Sequence, residues 1–309
     1  MSNLVRPASL LAVLALFAAC GGSGVSGGSS TPAGSPGVSA GSSPVVSPPA
    51  STVDLGAIEH ATGTTDIVLR YDEGGGFVAP SFMVSQTPIF TLYGDGTVVF
   101  RNTTAQGPAP DGSVIRQSPL RTARLSEDQI QGLLSYALGE GRLGIARAQY
   151  DFGGVADAST ATFTIDAGGI KKTVNVYALG MDTPDLPDRT VREAFARLAG
   201  RLGNLDQGGT LKTDIYRPAA YRAILMDGTG MTVPDIRPWP WKGIAPRDFA
   251  APSDPNAFQA ATKTLTPEGV AALGIKDPEG GLTNLILNGA GDGKLYSLAL
   301  RPLLPDETK

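Results

Sequence analysis

The side chains of this 309-residue chain that could do chemistry are a few carboxylates, two tryptophans and a single thiol. Asp72 and Glu73 stand side by side in RYDEGGGFV, ahead of three glycines, and Asp151 and Asp157 flank a diglycine in YDFGGVADAST. Two carboxylates across a cleft are what glycoside hydrolysis uses, one protonating the leaving oxygen and the other acting as base or nucleophile. The glycines after Glu73 permit positive φ or close backbone approach, a geometry that can cradle an anion or orient a ligand. Trp239 and Trp241 alternate with prolines in RPWPWKG. On one side of an extended segment, two indoles would stack on a sugar ring or a partner protein. Each feature also has a plain structural reading: a loop or bulge for Asp72–Gly76, a capped turn around Asp151 and Asp157, and a lid over a hydrophobic core for the tryptophans.

What is missing is as informative. His60 is the single histidine, so a Ser-His-Asp or Cys-His mechanism has one residue to draw on, and zinc sites built on two or three histidines are excluded. GEGRLG, residues 139–144, matches the spacing of a dinucleotide loop but follows a helical pattern instead of opening one. GGTLKTD lacks the glycine that precedes lysine in a phosphate loop. No catalytic residue, metal or cofactor is assigned. A net charge of −4 argues against a nucleic-acid partner.

Cys20, the only cysteine, has no disulfide partner within this chain, and GGSGVSGGSS after it cannot build a packed pocket. Before it comes a start with one basic side chain, Arg6, and a run from Ala8 to Ala19 that is apolar except for Ser9. That is the layout of a secretory signal peptide, and the run is too short for a permanent span. The stretch Leu16-Phe17-Ala18-Ala19-Cys20 resembles the lipobox of bacterial lipoproteins, with Phe17 in a place more often held by a branched apolar residue. The resemblance implies cleavage after Ala19, a diacylglycerol thioether on Cys20, and a chain attached through that lipid to the outer face of the cell membrane, or to the outer membrane of a Gram-negative host. Two acyl chains anchor stably where one does not. From Gly21 to about Ser51 the chain is Gly, Ser, Pro, Thr, Val and Ala without a charge. This composition cannot offset its ordering entropy and predicts a disordered tether.

These features give a signal peptide at 1–19, a tether at 20–54, an α+β domain at 55–207 whose core starts near Thr64, and a smaller α+β unit at 208–309. The fold class expected is α+β, antiparallel hairpins with a few short packing helices. DIVLRY reads as a strand and DEGGGFVAP as its interruption. SFMVSQTPIFTLYGDGTVVFRN then reads as strand, Asp95-Gly96 turn and strand, with positive φ at both turn residues. SVIRQSPLRTARL reads as extended. Ser126 and Gln129 form a capping box for a helix with Ile130, Leu133, Leu134 and Leu138 on one face. A second hairpin, ATFTIDAGGIKKTVNVYAL, precedes a helix carrying Val191, Phe195, Leu198 and Leu202. Thr266 caps a short helix with Pro267 at its first position, and GGLTNLILNGAGDGKLYSLALRPLLP is a last hairpin. LSEDQIQGLL echoes LTPEGVAAL, each followed by a hairpin, an order that permits two related strand–helix–hairpin units.

FTLYGDGTVVF, LSEDQIQGLL, the aspartate of VADAST, FTIDAGGIKKTVNVYA, LRYDEGGGFV and GKLYSLALRPLLPDE together resemble an uncharacterised lipoprotein family of actinobacterial type. The resemblance implies a fold and no site. The expected function is a lipid-anchored envelope protein that binds or scaffolds an envelope protein or glycan, with Trp239, Trp241, Asp72 and Glu73 as candidate binding residues. The alternative is a glycan or cell-wall hydrolase using pairs among Asp72, Glu73, Asp151 and Asp157. A solute-binding lipoprotein would instead show alternating βαβ runs.

Overall fold

The computed structural model describes residues 56–181, 186–206, 209, 211–230, 235–251, 260–289 and 291–308. Cys20, the apolar run before it and the tether lie outside the described residues. From Gly56 onward the described residues belong to one compact unit. It is α+β, with fourteen strands and four α-helices among the described residues. In chain order these are β1 (Ile67–Gly75), α1 (Pro80–Ser85), β2 (Phe90–Tyr93), β3 (Thr97–Phe100), β4 (Ile115–Arg116), β5 (Arg121–Arg124), α2 (Glu127–Leu138), β6 (Gln149–Tyr150), β7 (Ser159–Ala167), β8 (Ile170–Tyr177), α3 (Arg189–Gly203), β9 (Asp214–Ile215), β10 (Tyr221–Asp227), β11 (Ile236–Pro238), β12 (Ala261–Leu265), α4 (Pro267–Ala271), β13 (Leu282–Asn288) and β14 (Leu295–Pro302).

The first sheet runs β6-β8-β7-β1-β2-β3-β5-β9 and is antiparallel except for β6 beside β8. Strand alternation places Leu69, Tyr71, Phe163, Ile165, Val174 and Val176 on one face, where Ile130, Leu133 and Leu134 of α2 and Phe195, Leu198 and Leu202 of α3 cover them. Ser126 caps α2 through the reciprocal bonds expected with Gln129. On the opposite face, Tyr93, Val99 and Leu120 are covered by Leu304. The second sheet runs β11-β13-β14-β10-β12, with β4 paired to β13. Its main core holds Tyr221, Leu225, Leu285, Leu298 and Leu300 under Trp241, Phe249 and Val270.

Elements pair across the divide expected after residue 207, and the described residues on both sides of it belong to one compact unit. β4 leaves the first half to join β13, β9 joins the edge of β5, and the C-terminal turn Pro305–Glu307 sits against the first sheet. The two echoed segments share their order along the chain but not their place in the sheets. The leading strand of the first hairpin, β7, pairs with β1, whereas in the last hairpin the trailing strand, β14, pairs with β10.

Four local expectations are corrected. DEGGG does not interrupt the first strand: β1 runs on to Gly75, because β7 supplies a partner at every position from Leu69↔Ile165 to Gly75↔Ser159. SFMVS is helical, since Pro80 sits in the first turn of α1 with its φ already set for a helix. At the Asp95-Gly96 turn only Gly96 has positive φ, at 87°. Its N–H donates to Tyr93 O (3.0 Å) and Asp95 accepts from Thr97 N (2.9 Å), the three-residue loop in which glycine takes the left-handed place. The core starts before Thr64. Ile58 packs against it, exchanging bonds with the Gln131 side chain at 2.7 and 3.0 Å, and His60 pairs with Ala167.

Candidate functional site

Asp72 and Glu73 occupy consecutive strand positions, so their side chains leave β1 on opposite faces. Glu73 shares the face of Tyr71. It accepts from the Tyr71 hydroxyl at 3.0 Å and from Ser159 Oγ at 2.6 Å. Tyr71 stacks on Phe163 with ring centroids 4.9 Å apart. Burial, then the charge and hydrogen bond of Glu73, push the Tyr71 hydroxyl well above its usual range. Asp72 shares the face of Arg70. Burial raises its pKa, against the lowering influence of the Glu73 backbone, Arg70 and Arg301. The pair that looked like one site in the sequence is thus divided between two environments.

The face carrying Asp72 also holds an ionic cluster that the sequence did not advertise. Asp306 Oδ1 accepts from Arg70 Nη2 at 2.8 Å and from the Tyr93 hydroxyl at 2.6 Å. Arg301 donates to both carboxylate oxygens of Glu307, at 2.9 and 2.5 Å. Burial acts to raise both carboxyls, but the donated hydrogen bonds outweigh it and hold Asp306 and Glu307 below their usual range. The Asp306 contacts clip the C-terminal turn to the first sheet, and Arg301, on β14, ties it to the second. Two further arginines are spent inside the fold. Arg192, fully buried, donates Nη2 to the carbonyls of Tyr177 and Ala178. Arg101 donates to Ser118 O, Thr87 Oγ1 and Gly280 O, and burial lowers its pKa to about 10.

Trp239 and Trp241 fold back onto the second core. Their rings meet edge to face at 5.1 Å, and both approach Phe249. Trp241 is only 8 % exposed and Trp239 is partly buried. Each indole N–H is satisfied internally, by Ile244 O at 2.6 Å for Trp239 and by Gly269 O at 2.8 Å for Trp241. Neither ring presents a free face with its polar handle outward. Beside them Tyr296, 5.9 Å from Trp239, forms one wall of an open cleft of about 510 Å3. Asp227, Asp292, Lys294 and Arg247 stand round this cleft. Tyr296 donates to Asp292 at 2.7 Å, and burial together with that carboxylate pushes its hydroxyl up to about 12.

The other sequence candidates serve local structure. His60 contacts Ala61 O and Glu127 Oε1 where the chain enters the fold. Asp151 accepts from Gln149 at 2.8 Å, and Asp157 takes positive φ in the turn before β7. GEGRLG ends α2 and leads into a single short turn, Leu143–Ile145. GGTLKTD lies partly outside the described residues. Among the described residues no group of three His, Cys, Asp or Glu side chains is placed to hold a metal ion, and no helix is long and apolar enough to cross a membrane.

The positive φ expected of the glycines after Glu73 is present at Gly75 and Gly76; what the sequence reading passed over is the apolar stretch that follows them. Gly75 and Gly76 both have φ of +80°, and a Cβ on Gly76 would stand 3.0 Å from Asp157 O. The turn they permit is pinned by Phe77 N donating to Asp157 O and Val78 N donating to Gly76 O, each at 3.1 Å. It carries Phe77 out to 92 % exposure, with Val78, Phe82 and Met83 also exposed. Phe77 is the most exposed large apolar side chain among the described residues. The signal in the sequence was three glycines followed by FVAPSFM.

No protein-family model matches this chain, and no curated protein or solved structure matches it.

Proposed function

We propose that the protein is exported and held to the cell envelope by a lipid on Cys20, and that it acts there by binding. The observation that carries this reading is the placement of the only thiol of the chain, directly after Ala18-Ala19 at the end of a short apolar run and ahead of some thirty uncharged Gly-, Ser- and Pro-rich residues. An acylated cysteine followed by a polar tether sets a folded unit on a leash at the membrane surface. The partner is the membrane itself through the lipid, with an envelope protein or glycan as the second class of ligand.

The folded part supports binding over chemistry through what its reactive groups do. Asp72 and Glu73 are turned apart, Glu73 is engaged by Tyr71 and Ser159, and His60 contacts Ala61 and Glu127. The test is metabolic labelling with a clickable palmitate in a bacterial host, comparing the full chain with its Cys20→Ser variant. Label and membrane retention in the parent, with both lost in Cys20→Ser, are the expected outcome. Equal labelling of the two chains refutes the anchor.

A further inference from the structure

We propose that the cleft beside Tyr296 is a carbohydrate-binding site that takes one or two pyranose rings of an envelope glycan. The inference deepens the reading above and rests on its glycan-binding form. Two observations carry it.

The first is how the second sheet builds the cleft. Pairing and alternation bring Leu225, Asp227 and Tyr296 to one face, at the end of β10 and the start of β14. Leu225 lies between Leu298 and Ala261, and Asp227 is the cross-strand partner of Tyr296. The facing wall is the turn that carries Ala245, Pro246 and Arg247. Trp239 braces both walls. Its ring stands 5.9 Å from Tyr296, and its indole N–H donates to Ile244 O at 2.6 Å. The space between, about 510 Å3, is of the size of small-molecule sites. An apolar floor at Leu225 and Ala261, one aromatic wall and a polar rim match a pyranose, which has an apolar C–H face and hydroxyls along its edge.

The second is the balance of the rim. It offers two acceptors in fixed positions. Asp227 accepts from Thr229 N at 2.8 Å, and Asp292 accepts from Lys294 N at 3.0 Å and from the Tyr296 hydroxyl at 2.7 Å. It also offers two exposed cations, Lys294 and Arg247, whose side chains form no salt bridge among the described residues. Two charges of each sign leave the rim without a net field to select an anion or a cation. They do supply donors and acceptors together, which is what sugar hydroxyls require.

The protonation of the carboxyls fits binding without cleavage. Hydrogen bonds from Thr229, then the charge of Lys294, hold Asp227 below the usual carboxylate range. The Lys294 N–H and the Tyr296 hydroxyl do the same for Asp292. Glycoside hydrolysis needs one carboxyl kept protonated by a raised pKa, and neither of these is.

The experiment uses the full chain from residue 20 carrying Cys20→Ser, so that no acyl group contributes. Chitotetraose and maltotetraose are the probes, followed by saturation-transfer difference NMR. Expected are transfer to the ring protons of at least one probe, loss of that transfer in Tyr296→Ala, and an affinity about tenfold lower or more when Lys294→Ala and Arg247→Ala are combined. Both cations are exposed, so an unchanged circular dichroism spectrum establishes that the double variant is folded even where Tyr296→Ala is not. Absence of transfer to both probes overturns the proposal. Transfer that survives the double variant at full affinity overturns it too, and leaves glycan binding by the protein standing at another place. Since the probe chain has no acyl group, neither failure touches the Cys20 anchor, which palmitate labelling tests separately.

Discussion

Arg70 Nη2 lies 2.8 Å from Asp306 Oδ1, joining β1 to the C-terminal turn across 236 positions of sequence. The Tyr93 hydroxyl shares the same oxygen. This contact holds the last turn against the back of the first sheet, and the Arg301–Glu307 pair ties it to β14 of the second. Asp306→Asn weakens both bonds at once and leaves a partly buried guanidinium short of its acceptor, which should cost about 1–3 kcal/mol. Urea unfolding of the variant measures it.

The same cluster sets the acid limb of stability. Asp306 and Glu307 have lowered folded pKa values, so their contribution is complete above the unfolded carboxyl range, near pH 4. It is lost as pH falls through the folded values. Asp72 has the opposite sign, because burial raises its pKa and makes its ionised form a cost that acidification relieves. Urea midpoints taken from about pH 3 to 7 should therefore show a shallower acid limb for Asp306→Asn, and a higher midpoint near neutrality for Asp72→Asn.

Trp241→Ala should lose about 3–5 kcal/mol, as expected for a core tryptophan, and Trp239→Ala a smaller amount. Denaturant unfolding distinguishes this from a recognition surface, where both changes would leave stability intact.

Gly76→Ala forces a Cβ into left-handed backbone and toward Asp157 O at 3.0 Å. A loss of about 1–2 kcal/mol is expected from the conformation alone. Gly153→Ala, whose Cβ would meet nothing within 4 Å, is the control in the same melting series.

Deleting residues 21–51 should leave the melting temperature within a few degrees. Extending the deletion to residue 63 removes Ile58 and His60 from their partners and should lower it, by about 2–4 °C for each kcal/mol lost. Gln131→Ala, which cuts both bonds to Ile58 without shortening the chain, should move it in the same direction.

Much of the fold could be read from spacing. Ser126 and Gln129, or Thr266 before Pro267, announce their helices because a cap is a local device with local chemistry. The alternation of Phe163 and Ile165 against Val174 and Val176 did the same for the β7–β8 hairpin. DEGGG was lost because strand propensity ignores the partner, and β7 pairs with β1 whatever its side chains. The buried arginines and the Arg70–Asp306 contact are long-range and leave no periodic trace. Phe77 escaped for a different reason: apolar residues are read as core, and only the structure distinguishes it, in solvent, from Phe90, fully buried.

The entry of the chain has a mechanical meaning. A pull drawn through residue 56 first meets the Ile58–Gln131 pair, the Gly168–Glu59 bond and the His60–Ala167 bridge, which open one after another. Behind them stands β1, flanked by β7 and β2, whose ladder bonds lie across the strand and share tension applied along it. The entry segment is a clasp that yields ahead of the sheet, and the central strand resists in shear after it has let go.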